Sequence, residues 1–427
     1  MWARRLSLVV LGLALALAAA ELGLRVVAEQ RRHVIGQSVS DAVLEMRVPA
    51  GAHGHDQRGF RNDRVPACAE IVALGDSQTW GMNVARERAW PLQLARLSGR
   101  SVYNMGRGGY GPVQYYVLTS EALALSPRLL VIGFYLGNDI YDAYRTTYGL
   151  AAHRAFRSSG APPGFARDTI SEQSRVLLEE ERRHSNSFGA WPPPLWPLWL
   201  RGHTAVGRLV DDYLAQRTRM PGAWHYAERS WALAHPEAGA VWDGQAPTVL
   251  RTAYRLLALD LDERRISEGL RISQELLARI DAVSKPAGVR TLVLLLPTKE
   301  TVYARLVAQR RGLPPTYQRL IAMELRVRAD IAAFLEVKGI PLVDALPALR
   351  EATEQGRPVF PATTDGHLTA NGYLVIASLV NQSLAGFLDS GGCGGRRSVR
   401  RGVPAARSTR GFVVASRSRT QLPVFSR

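Results

Sequence analysis

Residues 71–81, IVALGDSQTWG, decide the fold of this chain. The apolar run over 71–74 shows no alternation of polar and apolar side chains, and it ends abruptly at a Gly-Asp-Ser triplet. A strand of a parallel sheet is buried on both faces, so it reads as a continuous apolar run of this kind. The stretch therefore predicts a buried parallel strand that delivers Ser77 directly to the edge of a sheet.

Strands and helices alternate on the carboxyl side of this stretch. Before residue 144 the pattern predicts a helix over 90–97, a strand over 101–104, a helix over 112–125 and a strand over 129–134. Late in the chain it predicts a helix over 272–283, a strand from 291, a long helix to 337, a strand over 341–346 and a closing helix from 371. This alternation predicts a three-layer α/β/α sandwich around a parallel, flavodoxin-like sheet of five strands.

The alternation breaks over residues 145–267, after the third strand. The segment is longer than an ordinary connection, and it carries AWPPPLWPLWL from Ala190 and further tryptophans at 224, 231 and 242. We expect an insertion within a domain that spans 67–389. Two interpretations stay open, a cap that shapes an acyl or sugar pocket and a helical excursion whose tryptophans fill its own core.

The first 30 residues have the layout of an export signal. Arg4 and Arg5 precede an apolar run over 6–20, and LGLRVV continues beyond Glu21. The run over 6–20 is shorter than the roughly 20 residues that span a bilayer, so a cleaved signal peptide and an uncleaved membrane anchor both fit. We expect an exported protein of the cell envelope or periplasm, either anchored by the N-terminal helix or secreted after cleavage, with 31–66 as a linker before the domain.

Much of the basic charge lies in the segment 390–427. Nine arginines and no acidic residue follow Gly391, so the formal net charge of +17 falls to +8 without them. A basic segment without apolar periodicity predicts a disordered tail, and we expect no nucleic-acid partner. The two cysteines, Cys68 and Cys393, show no metal-ligand spacing and are too few to predict a disulfide framework.

Four places in the sequence hold residues suited to acyl chemistry at the edge of the predicted sheet. In open α/β folds the loops after the carboxyl ends of the strands converge on one crevice. Ser77 follows the first strand, next to the amide groups of a helix entry, and can act as a nucleophile. Gly109, in NMGRGGYG, lets its backbone N–H approach a ligand, and Asn138 can direct its side-chain amide at developing negative charge.

The fourth place, TTDGHLTANGY, supplies a base. Asp365 and His367 fall in a loop just before the closing helix. An imidazole can take the proton of the serine hydroxyl while a carboxylate holds the ring in the required tautomer. Asp344, after the fifth strand, is the alternative carboxylate for that role. The sequence therefore predicts Ser77, His367 and one of these two aspartates as the catalytic group.

In this order the four stretches resemble blocks I, II, III and V of the SGNH or GDSL hydrolase superfamily. The resemblance covers roughly residues 71–387 apart from the insertion. It implies that Ser77 is the nucleophile and, through its amide, the first donor of an oxyanion hole. It implies further that Gly109 and Asn138 are the second and third donors and that His367 is the base.

The last block departs from the usual Asp-x-x-His spacing of the superfamily, because a single residue separates Asp365 from His367. This spacing resembles the alginate O-acetyltransferase-like subgroup, in which Asp-x-His still forms the dyad. A further stretch, LLPTKETVY from Leu295, resembles a Pro-x-Lys motif of membrane-anchored SGNH proteins. Lys299 is therefore a candidate substrate-binding residue, although a surface lysine at a strand-to-helix junction gives the same pattern.

Two other classes of site fit the sequence less well. The run over 106–111 satisfies GxGxxG after a strand, but the acidic residue that would bind a ribose, about 20 residues on, is missing from the end of the next strand. There is no HExxH motif, and His53, His55 and Asp56 lie in a polar stretch that predicts a loop. We expect neither a cofactor nor a metal.

Three functions remain compatible with the sequence. Water can discharge an acyl-enzyme on Ser77, which makes the protein an esterase for acyl esters, acetyl esters above all. A sugar hydroxyl can discharge it instead, which makes the protein an O-acyltransferase of an envelope or extracellular polysaccharide. A non-catalytic glycan-binding module is the third. We expect ester hydrolysis, with an acylated glycan or a lipid as the ester.

Overall fold

The computed structural model describes residues 38–159, 204, 248, 250–361 and 365–388, with scattered positions within 2–23. All of them fall in the first of two units of the chain, Met1–Cys393. The elements are β1 (Val39–Asp41), β2 (Glu45–Arg47), β3 (Ile71–Gly75), α1 (Ser77–Trp80), α2 (Trp90–Ser98), β4 (Val102–Gly106), α3 (Pro112–Leu123), β5 (Leu129–Tyr135), α4 (Asp139–Gly149), α5 (Thr252–Leu256), α6 (Arg264–Ser284), β6 (Arg290–Leu296), α7 (Lys299–Arg311), α8 (Pro315–Lys338), β7 (Leu342–Asp344), α9 (Leu346–Glu354) and α10 (Ala370–Ser383).

Five parallel strands form the central sheet, in the order β4-β3-β5-β6-β7. Every residue of β3 and of β5 is buried, as their unbroken apolar runs predict. Counted within the sheet, the order is 2-1-3-4-5, which is the flavodoxin-like arrangement. The predicted fold class is confirmed.

The helices form two groups, one for each face of the sheet. Right-handed crossovers place the helix between β3 and β4 on one face, and those between β4 and β5 and between β5 and β6 on the other. The packing agrees, because α2 contacts α10, whereas α3, α4 and α6 contact one another. Side chains of both groups share one hydrophobic core with the sheet.

Two helices stand where the sequence predicted a single long helix ending at 337. α7 ends at Arg311 and α8 begins at Pro315. Gly312 between them has φ 71°, a conformation that glycine adopts without strain. A proline at the first position of a helix has the right φ and needs no intrahelical N–H bond, so Pro315 starts α8. The helical periodicity of the sequence continues on both sides of Gly312, so the sequence alone did not reveal this break.

The predicted insertion over 145–267 lies largely outside the described residues. Its two ends have regular structure, since α4 continues to Gly149 and α6 already begins at Arg264. A 3₁₀ turn, Ala151–Phe156, follows α4, and α5 precedes α6. The cap over the site stays a prediction.

The segment 38–66, expected to be a linker, contains a hairpin that packs onto the domain. β1 and β2 pair antiparallel, and Leu44 between them is buried in the core. Phe60 is buried in the same core. Asn62 donates through Nδ2 to the main-chain oxygen of Asn104 at 2.9 Å and accepts from its amide at 3.1 Å. The polar composition of this segment hid these contacts.

Five residues of the apolar run over 6–20 lie outside the described residues, and the described positions within 2–23 are helical. Among described residues, the structure contains no helix of the length and apolarity that a membrane span requires. Cys68 is disulfide-bonded. The sequence holds one further cysteine, Cys393, which lies outside the described residues, as does the basic tail.

Gly269 in α6 permits the close approach of α6 to α4. A Cβ atom at this position would lie 2.0 Å from the main-chain oxygen of Ile140. We expect Gly269→Ala to lower the free energy of unfolding by about 1–3 kcal/mol, because an overpacked core must shift its backbone. Urea denaturation measures this loss. Gly149→Ala is the matched control, since a Cβ there meets no atom within 4 Å, and equal losses in the two variants would contradict the steric explanation.

Candidate active site

Ser77 stands where β3 ends and α1 begins. The Asp76 side chain caps the helix by accepting from the amide of Gln78 at 2.9 Å. Ser77 itself is 8% exposed. The first amides of a helix have no intrahelical acceptor, and no described residue accepts from the Ser77 amide. The turn therefore combines a hydroxyl with a free N–H donor at the edge of the sheet.

His367 joins Ser77 to Asp365. Its Nε2 lies 2.8 Å from Ser77 Oγ, and its Nδ1 lies 2.6 Å from Asp365 Oδ1. The main-chain amide of His367 donates to the same carboxylate oxygen at 2.9 Å. With the proton on Nδ1, the ring turns the lone pair of Nε2 towards the serine hydroxyl. The structure thus brings together three residues named from the sequence, in an arrangement that can remove the serine proton.

The Asp365 carboxylate is held in its ionised form. Burial raises its pKa, but hydrogen bonds from His367 and from the side-chain amide of Asn83 outweigh burial and hold the pKa of Asp365 well below its usual range. A carboxylate that stays ionised stabilises the imidazolium that forms when the ring accepts a proton. Asp344, the alternative carboxylate, instead accepts from the Leu346 amide and pairs with Arg328.

Gln78 holds the histidine loop on both sides of His367. Its Nε2 donates to the main-chain oxygen of Gly366 at 3.0 Å, and its Oε1 accepts from the amide of Leu368 at 3.4 Å. The Tyr373 hydroxyl in α10 donates to the same Oε1 at 3.3 Å. The residue after the nucleophile therefore fixes the position of the base.

Lys299 supports the histidine loop from within the protein. Its side chain is fully buried, and its Nζ donates to the main-chain oxygen of Asp365 at 3.0 Å. The candidate substrate-binding lysine is therefore neither on the surface nor exposed to a substrate. The side chain of Arg255, from α5, packs against the same loop, since a Cβ on Gly366 would lie 2.0 Å from Arg255 Nη2. Both cations contact the loop rather than an open cleft.

The loop after β4 reaches the nucleophile because the strands end in register. Gly75 of β3 pairs with Gly106 of β4. Two residues on, a Cβ at Gly108 would lie 3.7 Å from the Cβ of Ser77. Gly109 has φ 82°, a conformation that other residues rarely adopt. No described residue accepts from its amide, so a second free N–H donor lies in this loop.

Asn138 follows the neighbouring strand, β5, whose Gly133 also pairs with Gly75. Its Nδ2 donates to Asp142 Oδ2 at 2.9 Å. An amide nitrogen carries two N–H groups, and the second has no acceptor among the described residues. This N–H group lies at the end of the strand next to that of Ser77, and the role of Asn138 as the third donor stays a prediction.

Asp139 anchors the turn that carries Asn138. Its carboxyl group accepts from the Tyr135 amide at 2.9 Å and from the Tyr115 hydroxyl at 3.0 Å. Burial raises the pKa of Asp139 well above its ordinary value. The group is a buried anchor, and its hydrogen bonds hold the loop against the sheet.

The residues considered for a metal serve the framework. The Asp56 carboxylate accepts from the Tyr103 hydroxyl at 2.7 Å and from Asn62, and His55 accepts from Trp80 Nε1 at 3.4 Å. Among the described residues, no group of three His, Cys, Asp or Glu side chains is arranged to hold a metal ion.

Sequence reasoning missed three side chains that hold the site, Gln78, Asn83 and Asp142. Asp142 had a usable signal, since it lies four residues after Asn138 and such residues share one face of a helix. Gln78 and Asn83 bind a loop 282 or more residues away. No local pattern carries a pairing of that kind.

No protein-family model and no curated protein matches the chain. Solved structures with a similar fold include a GDSL-like lipase from Bacteroides thetaiotaomicron, at 12% identity and a TM-score of 0.31 over 74% of this chain and 88% of that chain. A member of the lipolytic protein G-D-S-L family from Veillonella parvula matches at 10% identity and 0.32, over 74% and 97%. A catalytic mutant of an acetylxylan esterase from Geobacillus stearothermophilus matches at 11% and 0.32, over 74% and 94%. At these values the likeness carries no conclusion about the reaction of this chain.

Asp76 makes the stability of the site depend on pH. It is fully buried, and burial raises its pKa from 3.8 to about 6. The native state therefore binds this proton more tightly than the unfolded chain, and the resulting stabilisation is lost as the pH rises from about 4 to about 6. Asp76→Asn does not titrate. We expect the free energy of unfolding of this variant, relative to that of the wild type, to rise by roughly 2–3 kcal/mol between pH 4 and pH 7.

Urea denaturation of both proteins at pH 4, 5.5 and 7 measures this difference. Asparagine can still accept from the Gln78 amide, so the helix cap is preserved. A difference between variant and wild type that stays constant across the three pH values would show that the Asp76 carboxyl does not titrate in this range.

Proposed function

We propose that this chain is a serine ester hydrolase of the SGNH kind, in which Ser77 carries the acyl group. The observation that carries the proposal is the pair of contacts at His367, 2.8 Å to Ser77 Oγ and 2.6 Å to Asp365 Oδ1. A nucleophile, a base within hydrogen-bond reach and a group that orients the base are what a serine needs to attack a carbonyl.

Acylation follows from this geometry. Ser77 Oγ attacks the ester carbonyl while His367 Nε2 takes its proton, and the ionised Asp365 stabilises the imidazolium. The carbonyl oxygen becomes an oxyanion, which the amides of Ser77 and Gly109 and the second N–H of Asn138 are suited to bind. The imidazolium then gives its proton to the alcohol oxygen as the bond to the carbonyl carbon breaks. The alcohol leaves, and the acyl group stays on Ser77.

Deacylation repeats the steps with water. His367 Nε2 removes a proton from a water molecule, whose oxygen attacks the acyl carbon, and the same three donors bind the second oxyanion. Ser77 Oγ leaves with the proton returned by His367, and the carboxylic acid is released. A sugar hydroxyl in place of water would give acyl transfer by the same steps.

We propose acetyl esters as the substrate class, with a glycan or a lipid as the alcohol part. The single residue between Asp365 and His367 supports this choice, since the spacing resembles that of the alginate O-acetyltransferase-like subgroup. Water is the proposed acceptor, because hydrolysis requires only that water reach the acyl-enzyme, whereas transfer requires a site that excludes it.

We propose further that the protein is exported. The arginines at 4 and 5 before the apolar run support export. An uncleaved N-terminal segment would keep the domain at the membrane and a cleaved one would release it, and sequencing the N-terminus of the exported protein distinguishes the two.

A fluorophosphonate tests the catalytic serine. An activated serine displaces fluoride from the probe, so we expect wild type to be labelled and Ser77→Ala to be unlabelled. His367→Ala should lower kcat on p-nitrophenyl acetate by about 1000-fold or more, because the base is lost. Ser267→Ala, in α6, is the control and should label like wild type. Labelling that does not depend on Ser77 would overturn the proposal and favour a glycan-binding module.

The fate of the acyl group separates hydrolysis from transfer. We expect p-nitrophenyl acetate to yield equal amounts of nitrophenol and acetate, with or without an oligosaccharide acceptor. Mass spectrometry of the oligosaccharide and an acetate assay measure the products. Acetylated oligosaccharide formed at the expense of acetate would make the protein an acyltransferase.

A further inference from the structure

We propose that Asp142, Arg145 and Glu45 form a positioning network that holds two donors of the oxyanion hole, Asn138 and Gly109. The inference rests on the serine ester hydrolase function proposed above. Each member of this network, called the Arg145 network below, acts through another residue and not on the substrate.

The first contact fixes the Asn138 amide. Asp142 Oδ2 accepts from Asn138 Nδ2 at 2.9 Å, and the two residues lie one helical turn apart at the start of α4. A hydrogen bond to a carboxylate is roughly twice as strong as one between neutral groups. One N–H of the amide is thereby bound, and the other is held in a single direction. An oxyanion hole stabilises charge well only when its donors are fixed before the reaction.

The second contact joins both donors to one guanidinium. Arg145 Nε donates to Asp142 Oδ1 at 3.0 Å, and Arg145 Nη2 donates to the main-chain oxygen of Gly109 at 3.4 Å. One side chain therefore touches the partner of the third donor and the main-chain oxygen of the residue that carries the second. The planar guanidinium suits this use because its N–H groups point in fixed directions.

The third contact holds Arg145 itself. Its Nη1 lies 2.6 Å from both carboxylate oxygens of Glu45, which begins β2 of the hairpin. Glu45 has φ 69°, a left-handed conformation that is strained for a residue with a Cβ. Such strain persists where surrounding contacts demand it. The hairpin, rather than a linker, thus delivers a carboxylate to the active-site loops.

The charges of the network explain why Arg145 is needed. Asp142 is 7% exposed, and burial raises its pKa to about 6 even with Arg145 beside it. Above that pH the group is an anion close to the donors that must bind a second anion. The guanidinium compensates this charge, so that Asp142 orients Asn138 without repelling the oxyanion.

Substitutions in the network should lower kcat and leave KM nearly unchanged, because the donors act on the oxyanion and not on the bound ester. At pH 8 on p-nitrophenyl acetate we expect Arg145→Met to lose roughly 10- to 100-fold in kcat, below the roughly 100- to 1000-fold that loss of a whole donor costs. Arg145→Lys should recover part of the loss, since it retains the charge.

Arg271→Met is the matched control. Arg271 also bridges two carboxylates, Glu268 and Glu275, and also donates to a main-chain oxygen, that of Phe156, but it lies on α6. We expect the kcat of Arg271→Met to equal that of wild type. An equal loss of kcat in Arg271→Met and Arg145→Met would overturn the network.

A double-mutant cycle tests whether the network acts through Asn138. Asp142→Leu should lower kcat when Asn138 is present and have little further effect in Asn138→Ala, because the group it positions is then absent. Equal losses in both backgrounds would overturn the network. Should Asp142→Leu fail to fold, the same cycle with Arg145→Met decides the question, since much of its effect should vanish with Asn138. A wild type without Ser77-dependent turnover would overturn the proposed function, whereas additive losses in an active enzyme overturn the network alone.

Discussion

The parallel register of β3 with its two neighbours is the constraint on which the site depends. Gly75 pairs with Gly106 on one side and with Gly133 on the other, so β3 and β4 end at the same level and β5 ends two residues further on, at Tyr135. Because the strands are parallel, the loops that follow them leave the sheet at the same edge. These loops bring the Ser77 hydroxyl, the Gly109 amide and the Asn138 side-chain amide to that edge. A shift in the register of one strand would move its donor by a residue spacing, about 3.3 Å, which is more than a hydrogen bond tolerates.

Several carboxyl groups lie at this edge, and their surroundings shift their pKa values in different directions. Burial raises the pKa of Asp76 and of Asp142 to about 6, while hydrogen bonds to His367 and Asn83 hold the pKa of Asp365 below its ordinary range. Environments that separate the pKa values of neighbouring acids assign them separate roles. Asp365 can support a positive imidazolium, whereas Asp76 caps α1 and Asp142 orients Asn138. Arg145 supplies the compensating charge.

The base is the one part of the site that the register of the sheet does not place, because His367 comes from a loop after β7 and α9. Its position depends on side chains from elsewhere: Gln78 binds the main chain of the residues before and after His367, and Lys299 binds the main-chain oxygen of Asp365. The proposed oxyanion donors show the same dependence on remote partners, since Glu45 reaches Arg145 from the hairpin. The proposed functional residues lie at the ends of strands and in loops, and side chains from other elements hold these loops in place.

The sequence alone determined the sheet, its parallel direction and the residues at its strand ends, because apolar runs and the turns that follow them are local patterns. It also indicated Ser77, Gly109 and Asn138, since each lies in the turn after a recognisable strand, and His367, which lies just before the closing helix. The tertiary structure places Asp365, and not Asp344, beside His367. It also buries Lys299 against the histidine loop and packs the segment 38–66 onto the domain. It also split the helix at Gly312. Contacts such as Gln78 with Gly366 join residues 288 apart in the chain, and only the packed fold brings such residues within hydrogen-bond distance.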